Sequence, residues 1–332
     1  MILYSPANSI EEAEEVIKAG ADGIYIGGVT TIYSNYPYGS NGWTVGENKL
    51  SVKEFKELVK FCHRNKVLAQ YNVYTDCLSD SVSTEHNLAE YFSDYVKFGL
   101  DAGVDSILLD DISAIMRVNK IDPNIDIHAS FLFDIVNTEQ LKFFKSLNVK
   151  TVELSPQLAI KEIYELSENS PLSLGLISHL NCAAYEGSCY IDHFIENDHK
   201  MIPIGLPCKS NYRLTIDEDK TVEGSFIDMT LSCSVCNMPT LINSNINYIK
   251  IPGRHIDFSL ILNWTMVYRE AINLLKGGHI NTVQELRDNI IKKYPNWSLW
   301  CRLNRKKGCL YDNENSVSKF CMSRVILNNN GT

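Results

Sequence analysis

Short apolar runs and amphipathic stretches alternate along the chain from its first residue. Positions 1–5 read as a buried strand, and a helix opens after Ser9, with Glu12 three positions on as in a capping box. That helix ends at Gly20, and the chain returns through Ala21-Asp22-Gly23-Ile24-Tyr25-Ile26-Gly27-Gly28. The same return recurs. Ala19-Gly20-Ala21-Asp22-Gly23-Ile24-Tyr25-Ile26 is echoed by Ala102-Gly103-Val104-Asp105-Ser106-Ile107-Leu108-Leu109. Looser copies are Leu147-Asn148-Val149-Lys150-Thr151-Val152-Glu153-Leu154 and Ser244-Asn245-Ile246-Asn247-Tyr248-Ile249-Lys250-Ile251. Each copy closes an amphipathic helix on Gly or Asn and enters a short apolar strand. Repeated helix-to-strand junctions are what a parallel βα barrel requires. An open doubly wound sheet gives similar junctions, but no Gly-x-Gly-x-x-Gly follows the first strand.

Between the copies the alternation continues. Ser51 and Glu54 form a capping box for a helix to 65, with a strand predicted over 67–74. Further helices are expected over 84–102 (capped by Thr84), 138–147 and 158–166, and strands over 126–130 and 172–177. After Cys208, 212–216 and 224–229 read as strands, the first suited to a small hairpin outside the barrel. A helix from near 233 to 243, a strand over 249–251 and a long helix over 257–276 follow, the last with Trp264, Tyr268, Leu274 and Leu275 on its core face. The loop 30–48, rich in Tyr, Gly, Asn and Ser, is long enough for a lid over the barrel mouth. The expected architecture is a TIM-like (β/α) barrel over 1–276 with a cysteine-bearing insertion at about 182–236. A C-terminal helix and irregular tail, 277–332, would pack on it.

Length and composition agree with this. A barrel takes about 250 residues, and the 332 here leave room for the insertion and tail. The chain is 45% hydrophobic and 21% charged, as in an ordinary soluble globule. No stretch approaches the roughly 20 apolar residues of a membrane span. The first residues lack the features of a secretory signal, so a cytoplasmic protein is expected. A net charge of −9 argues against a broad nucleic-acid footprint, and the one basic cluster is Arg302, Arg305, Lys306 and Lys307.

The cysteines change the picture. Of ten, five fall between 182 and 236: Cys182, Cys189, Cys208, Cys233 and Cys236, with Gly187 able to turn the backbone between the first two. Clustered thiols in a protein of this size point to metal or redox work rather than a disulfide scaffold. Soft thiolates suit an iron–sulfur cluster. A structural zinc or plain buried thiols are the alternatives, although only Cys233 and Cys236 have the spacing of a zinc knuckle. Cys62, Cys77, Cys301, Cys309 and Cys321 read as structural. His128 and His179 lie at strand ends, where barrels place their chemistry, and with Tyr185 are the candidate catalytic residues. Tyr25, Asn72, Lys250 and Arg254 are the candidate substrate contacts. Lys250 and Arg254 are spaced to hold a carboxylate or phosphate, or else to form a surface salt bridge. Asp110 is a further candidate for the mouth. No His-Glu-x-x-His or Gly-x-Ser-x-Gly is present to support a peptidase.

Five stretches together resemble the collagenase-like peptidase family U-32. They are Ser5-Pro6-Ala7-Asn8, the 19–28 return, the Cys182-to-Cys189 segment, Ile249-Lys250-Ile251-Pro252-Gly253-Arg254 and Tyr268-Arg269-Glu270-Ala271. The resemblance implies an α/β barrel and, for the better understood members, a 4Fe–4S cluster on four cysteines. It implies oxygen-independent hydroxylation, in ubiquinone biosynthesis or on tRNA and ribosomal RNA bases. The chain departs from the family pattern twice. Ile204 stands where a cysteine often precedes the match to Cys208, so Cys233 or Cys236 would supply the fourth ligand. Pro252 replaces the Glu of the usual Lys-x-Glu-Gly-Arg. The length is nearer that of the quinone-pathway members, which pair as heterodimers of related chains. The leading expectation is a redox step on a small aromatic or quinone-like substrate, with a related U-32 chain as the prospective partner. RNA base hydroxylation, a metal-dependent peptidase and a non-catalytic cluster-bearing subunit are the alternatives.

Overall fold

The computed structural model describes residues 1–27, 50–73, 88–156, 158–178, 194–197, 200–203, 212–217, 220–224, 233–253, 257–278, 280 and 282–299. The chain begins β1 (Ile2–Pro6), α1 (Ile10–Lys18), β2 (Gly23–Ile26), α2 (Val52–Arg64), β3 (Leu68–Val73), α3 (Leu88–Ala102) and β4 (Ser106–Leu109). It goes on through α4 (Ile112–Ile121), β5 (Asp126–Ala129), α5 (Thr138–Ser146), β6 (Thr151–Glu153), α6 (Ile160–Glu168) and β7 (Ser173–Ile177). Two hairpins follow, β8 (Phe194–Asn197) with β9 (Lys200–Pro203) and β10 (Tyr212–Asp217) with β11 (Lys220–Gly224). Then come α7 (Met238–Ile242), β12 (Ile246–Lys250), α8 (Phe258–Lys276) and α9 (Val283–Lys293).

Eight strands close into a parallel barrel in the order β1-β12-β7-β6-β5-β4-β3-β2. This is the expected TIM-like architecture. The two hairpins stand in separate sheets between the seventh and eighth barrel strands. Of the strand expected at 224–229, residues 225–229 lie outside the described residues; Gly224 ends a strand, Lys220–Gly224, that pairs with β10. The hairpin of β8 and β9 was missed, and the helix expected from near 233 is a 3-10 turn, Val235–Asn237, followed by the short α7. The proposed lid at 30–48 lies outside the described residues.

The recurring junction has a physical cause. In three of the four copies the strand starts after a residue in the left-handed region: Gly20 (φ 102) after α1, Gly103 (φ 86) after α3 and Asn148 (φ 58) after α5. Glycine reaches that region without strain, and asparagine tolerates it. The helix starts are fixed as well. Ser51 and Glu54 make the reciprocal capping box on α2, and Ser9 caps α1.

The outer faces of the strands are apolar and meet the helices. Ile24, Ile107, Val152 and Ile249 are fully buried there, with Phe55, Leu58 and Trp264 from the helices. Cys62 belongs to this layer. Burial, helped by the nearby Asp105 carboxylate, pushes its thiol up to about 12 from 9.0. Helix α8 is fastened to the barrel by polar contacts. Ser5 and Thr265 hydroxyls meet at 2.9 Å, Arg269 Nε donates to the Gly20 carbonyl at 2.7 Å, and Arg269 also pairs with Asp22. Asp22 in turn accepts the Leu3 N–H at 2.9 Å, so one carboxylate ties α8 to β1.

Candidate functional site: a polar barrel lumen and a cysteine turn at its rim

Barrel interiors are commonly filled by Val, Ile and Leu. Here the inward positions carry Tyr4, Tyr25, Gln70, Asn72, Ser106 and His128, together with Glu153, Tyr248 and Lys250, all buried. Parity along the strands decides this. Tyr71 packs outward on Phe55 of α2 (ring centroids 5.1 Å apart), so Gln70 and Asn72 face the lumen. Two glycines make room for the rings. A Cβ on Gly23 would lie 2.3 Å from Tyr4, and one on Gly175 would lie 2.1 Å from Tyr248.

The centre of the lumen is an ion pair. Lys250 Nζ lies 2.9 Å from Glu153 Oε1, with the two side chains 3% and 0% exposed. Tyr248 OH donates to the same oxygen at 3.0 Å, and the Phe131 N–H approaches the second carboxylate oxygen at 3.4 Å. Lys250 also stands over the ring of Tyr25, 4.6 Å from its centroid, while Tyr25 OH donates to the Ile251 carbonyl at 2.7 Å. Glu153 and Lys250 close β6 and β12, so the pair sits at the C-terminal end of the barrel, where this fold carries its chemistry. Of the two roles expected of Lys250, the ion pair is the one present, inside the barrel rather than on its surface. It is buried and already meets a carboxylate of its own chain.

Deeper in the lumen Gln70 Nε2 lies 2.9 Å from His128 Nδ1. An amide NH₂ only donates, so with the amide placed this way Nδ1 accepts and the imidazole proton rests on Nε2, 3.5 Å from Asp126 Oδ2. His128 stacks on Tyr248 (centroids 5.7 Å) and is 4% exposed, so it lies within the lumen. Burial also raises the Tyr4 phenol, helped by the Asp126, Asp105 and Glu153 carboxylates. Three acceptors remain unmatched: Gln70 Oε1, Asn72 Oδ1 and Asp126 Oδ1 are buried without a hydrogen-bond partner. Of the two on β3, Asn72 is the nearer to its C-terminal end.

The second part of the site is the turn that carries Cys233 and Cys236. Ser234, between them, donates its hydroxyl to the Ser178 carbonyl at 2.6 Å, and Ser178 is the residue after β7. The Ser178 N–H in turn donates to the Lys250 carbonyl at 2.9 Å. The cysteine turn is thus fastened to the strand pair that presents Lys250. The Val235 N–H points at Cys233 Sγ, 3.4 Å away. A cleft beside it is lined by Ser155, Leu176, Ser178, Ser234, Asn237 and Leu241. Two half-buried thiols on a turn at the mouth, one receiving a backbone N–H, are the donor type an iron–sulfur centre uses. Cys182, Cys189, Cys208, His179, Tyr185 and Arg254 lie outside the described residues. Among the described residues no cluster of three His, Cys, Asp or Glu side chains is set up for a metal. Among them, too, no helix is long and apolar enough to cross a membrane.

Glu153, Tyr248 and Gln70 were missed by sequence reasoning. A signal for the first two was present. In the four copies of the junction the seventh position is Tyr25, Leu108, Glu153 and Lys250, and the fifth is Gly23, Ser106, Thr151 and Tyr248. Each of these positions faces the lumen, while the sixth, always Ile or Val, faces the helices.

An eight-stranded parallel barrel with an ionised lumen and cysteines at its rim defines the class. The chain belongs to peptidase family U32, whose family model matches residues 8–300. It is 27% identical over 279 residues to the 23S rRNA 5-hydroxycytidine C2501 synthase of Escherichia coli, covering 82% of this chain and 39% of that protein. It is 25% identical over 284 residues to tRNA hydroxylation protein P1 of Bacillus subtilis, covering 82% of this chain and 63% of that one. The chain thus spans less than two thirds of either relative. The Collagenase of Porphyromonas gingivalis is 20% identical over 293 residues, covering 83% and 66%. A U32 peptidase of known structure aligns with a TM-score of 0.41 at 15% identity, over 54% of this chain and 69% of that one.

Proposed function

We propose that this chain is an iron–sulfur protein that takes part in hydroxylating an RNA base at the C-terminal mouth of the barrel. The observation that carries the reading is the joining of the Cys233–Cys236 turn, through Ser234 and Ser178, to the strand that presents Lys250. The names of two relatives supply the substrate class, and they favour an RNA base over the small aromatic or quinone-like molecule expected from chain length. Cys182, Cys189, Cys208 and one of Cys233 or Cys236 would hold a 4Fe–4S cluster. Bound there, the cluster supplies one-electron redox chemistry.

The chain's own residues do the rest. Lys250, held by Glu153, which Tyr248 holds in turn, presents a fixed positive charge to the acceptor edge of a base. Tyr25 and Tyr248 provide aromatic walls, and unstacked bases are commonly bound on such rings. Asn72 offers an amide to the hydrogen-bonding edge of the base. The net charge of −9 fits recognition centred on the base rather than a broad grip on phosphates.

Two measurements test this. Protein purified without oxygen should carry iron and acid-labile sulfide with a broad visible absorption. Nucleosides from the ribosomal RNA and tRNA of cells lacking the gene should lose a hydroxylated base, and the wild-type gene should restore it. Zinc in place of iron and sulfide, or unchanged nucleosides together with peptide cleavage, overturns the reading.

A further inference from the structure

The Tyr268 side chain is fully buried, yet its oxygen is fully used. It donates to the Ser178 carbonyl at 2.7 Å and accepts the Ser234 N–H at 3.0 Å. Ser234 Oγ lies 3.1 Å from the same phenol and donates to the same carbonyl. One oxygen on α8 therefore joins two pieces of backbone far apart in sequence. The first is the end of β7, four residues before Cys182. The second is the residue between Cys233 and Cys236.

We infer that Tyr268 is a positioning residue for the cysteine-held cluster, setting the Cys233–Cys236 turn against the strand end that leads into the Cys182 segment. The inference rests on the iron–sulfur reading above. Its physical basis is rigidity. Helix α8 cannot shift easily beside it, because the next residue, Arg269, is held by Gly20 and Asp22. The ring of Tyr268 is also braced edge-on by Trp297, at 6.3 Å and 88°. The phenol is thus a fixed post. It orients Ser234, and Ser234 precedes the Val235 N–H that points at Cys233 Sγ. Groups that orient metal ligands from behind typically alter metal retention by about 10–100-fold when removed.

Tyr268→Phe keeps the ring and its packing and removes only the oxygen. Ser234→Ala removes the second link from the other side. Thr265→Val is the control: it deletes a buried hydroxyl pair one turn back on the same helix, between Thr265 and Ser5 of β1 and not to the cysteine turn. The experiment uses anaerobically purified full-length protein, with iron loss to a chelator followed by the visible absorption, and the unfolding midpoint of each variant measured in parallel. The expected result is iron loss about tenfold or more faster in Tyr268→Phe, a change in the same direction in Ser234→Ala, and the wild-type rate in Thr265→Val. Wild-type retention in Tyr268→Phe overturns the inference. So does equal acceleration in Tyr268→Phe and Thr265→Val, because the effect is then general loosening of α8. A wild-type protein without iron and sulfide overturns the iron–sulfur reading itself, and that outcome is visible before any variant is made.

Discussion

Lys250 and Glu153 meet at 2.9 Å inside the barrel, both almost wholly out of contact with water. Burying two charges is expensive, and such a pair is rarely kept for stability, since an apolar pair of the same volume often serves as well or better. Its place at the end of the lumen gives it another use, a charge held still at the mouth. Removing one partner strands the other. Glu153→Ala should lower unfolding stability by about 3–5 kcal/mol. The combined Glu153→Leu/Lys250→Met variant should recover most of that loss in denaturant titrations while losing the proposed RNA modification. If the double variant is no more stable than Glu153→Ala, the cost lies in packing and not in the stranded charge.

Asn72 supplies a test in the opposite direction. Its buried Oδ1 has no partner, and an unmet acceptor of this kind costs about 1–3 kcal/mol. Asn72→Leu, with the same branched shape and number of heavy atoms, should raise the unfolding midpoint and abolish the proposed base hydroxylation. Stability gained at the expense of function would mark Asn72 as kept for a ligand.

Gly175 leaves room for the Tyr248 ring, the ring that holds Glu153. Gly175→Ala would set a methyl 2.1 Å from Tyr248 Cζ, and overpacking of that kind costs about 1–3 kcal/mol. Tyr248→Leu placed in the same chain should return part of the loss, giving a non-zero coupling in a double-mutant cycle read by chemical denaturation. Additive effects would show that the two positions do not meet.

Cys62 makes a pH prediction. Its thiol ionises near 9.0 when free and only at about 12 in the folded chain. Above pH 9 the unfolded chain sheds this proton while the folded chain keeps it. The native state then binds more protons, and its stability falls as pH rises through that window. Cys62→Ala should flatten this part of the stability profile. In the native protein at pH 8, an alkylating reagent should reach Cys62 only after unfolding, as peptide mapping would show.

How much of this was legible in the sequence depended on the face in question. The junctions were readable because Gly20, Gly103 and Asn148 must each leave a helix in the left-handed region, and few residue types do so at little cost. The lumen was harder. Barrel strands are buried on both faces, so alternation does not separate inside from outside, and strands as short as β6 give little alternation to read. Glu153 passed as one polar residue in an apolar run, and only alignment with Tyr25 and Lys250 shows that all three point the same way. Tyr268 was recognised as a core residue of α8, but the use of its oxygen was not. Its partners, Ser178 and Ser234, are brought to it by strand order, and strand order is not a property of any local stretch.

The closure of the barrel also sets a timetable. Ile2 and Leu3 pair with Tyr248 and Ile249, so one edge of the first strand has no neighbour until the last barrel strand has been made. At about 5–20 residues per second on the ribosome, that edge waits on the order of ten seconds to a minute. All five clustered cysteines leave the ribosome within that interval, ahead of the strand that shuts the barrel. All the ligands of the proposed cluster would therefore be synthesised before the closing strand, which carries Lys250.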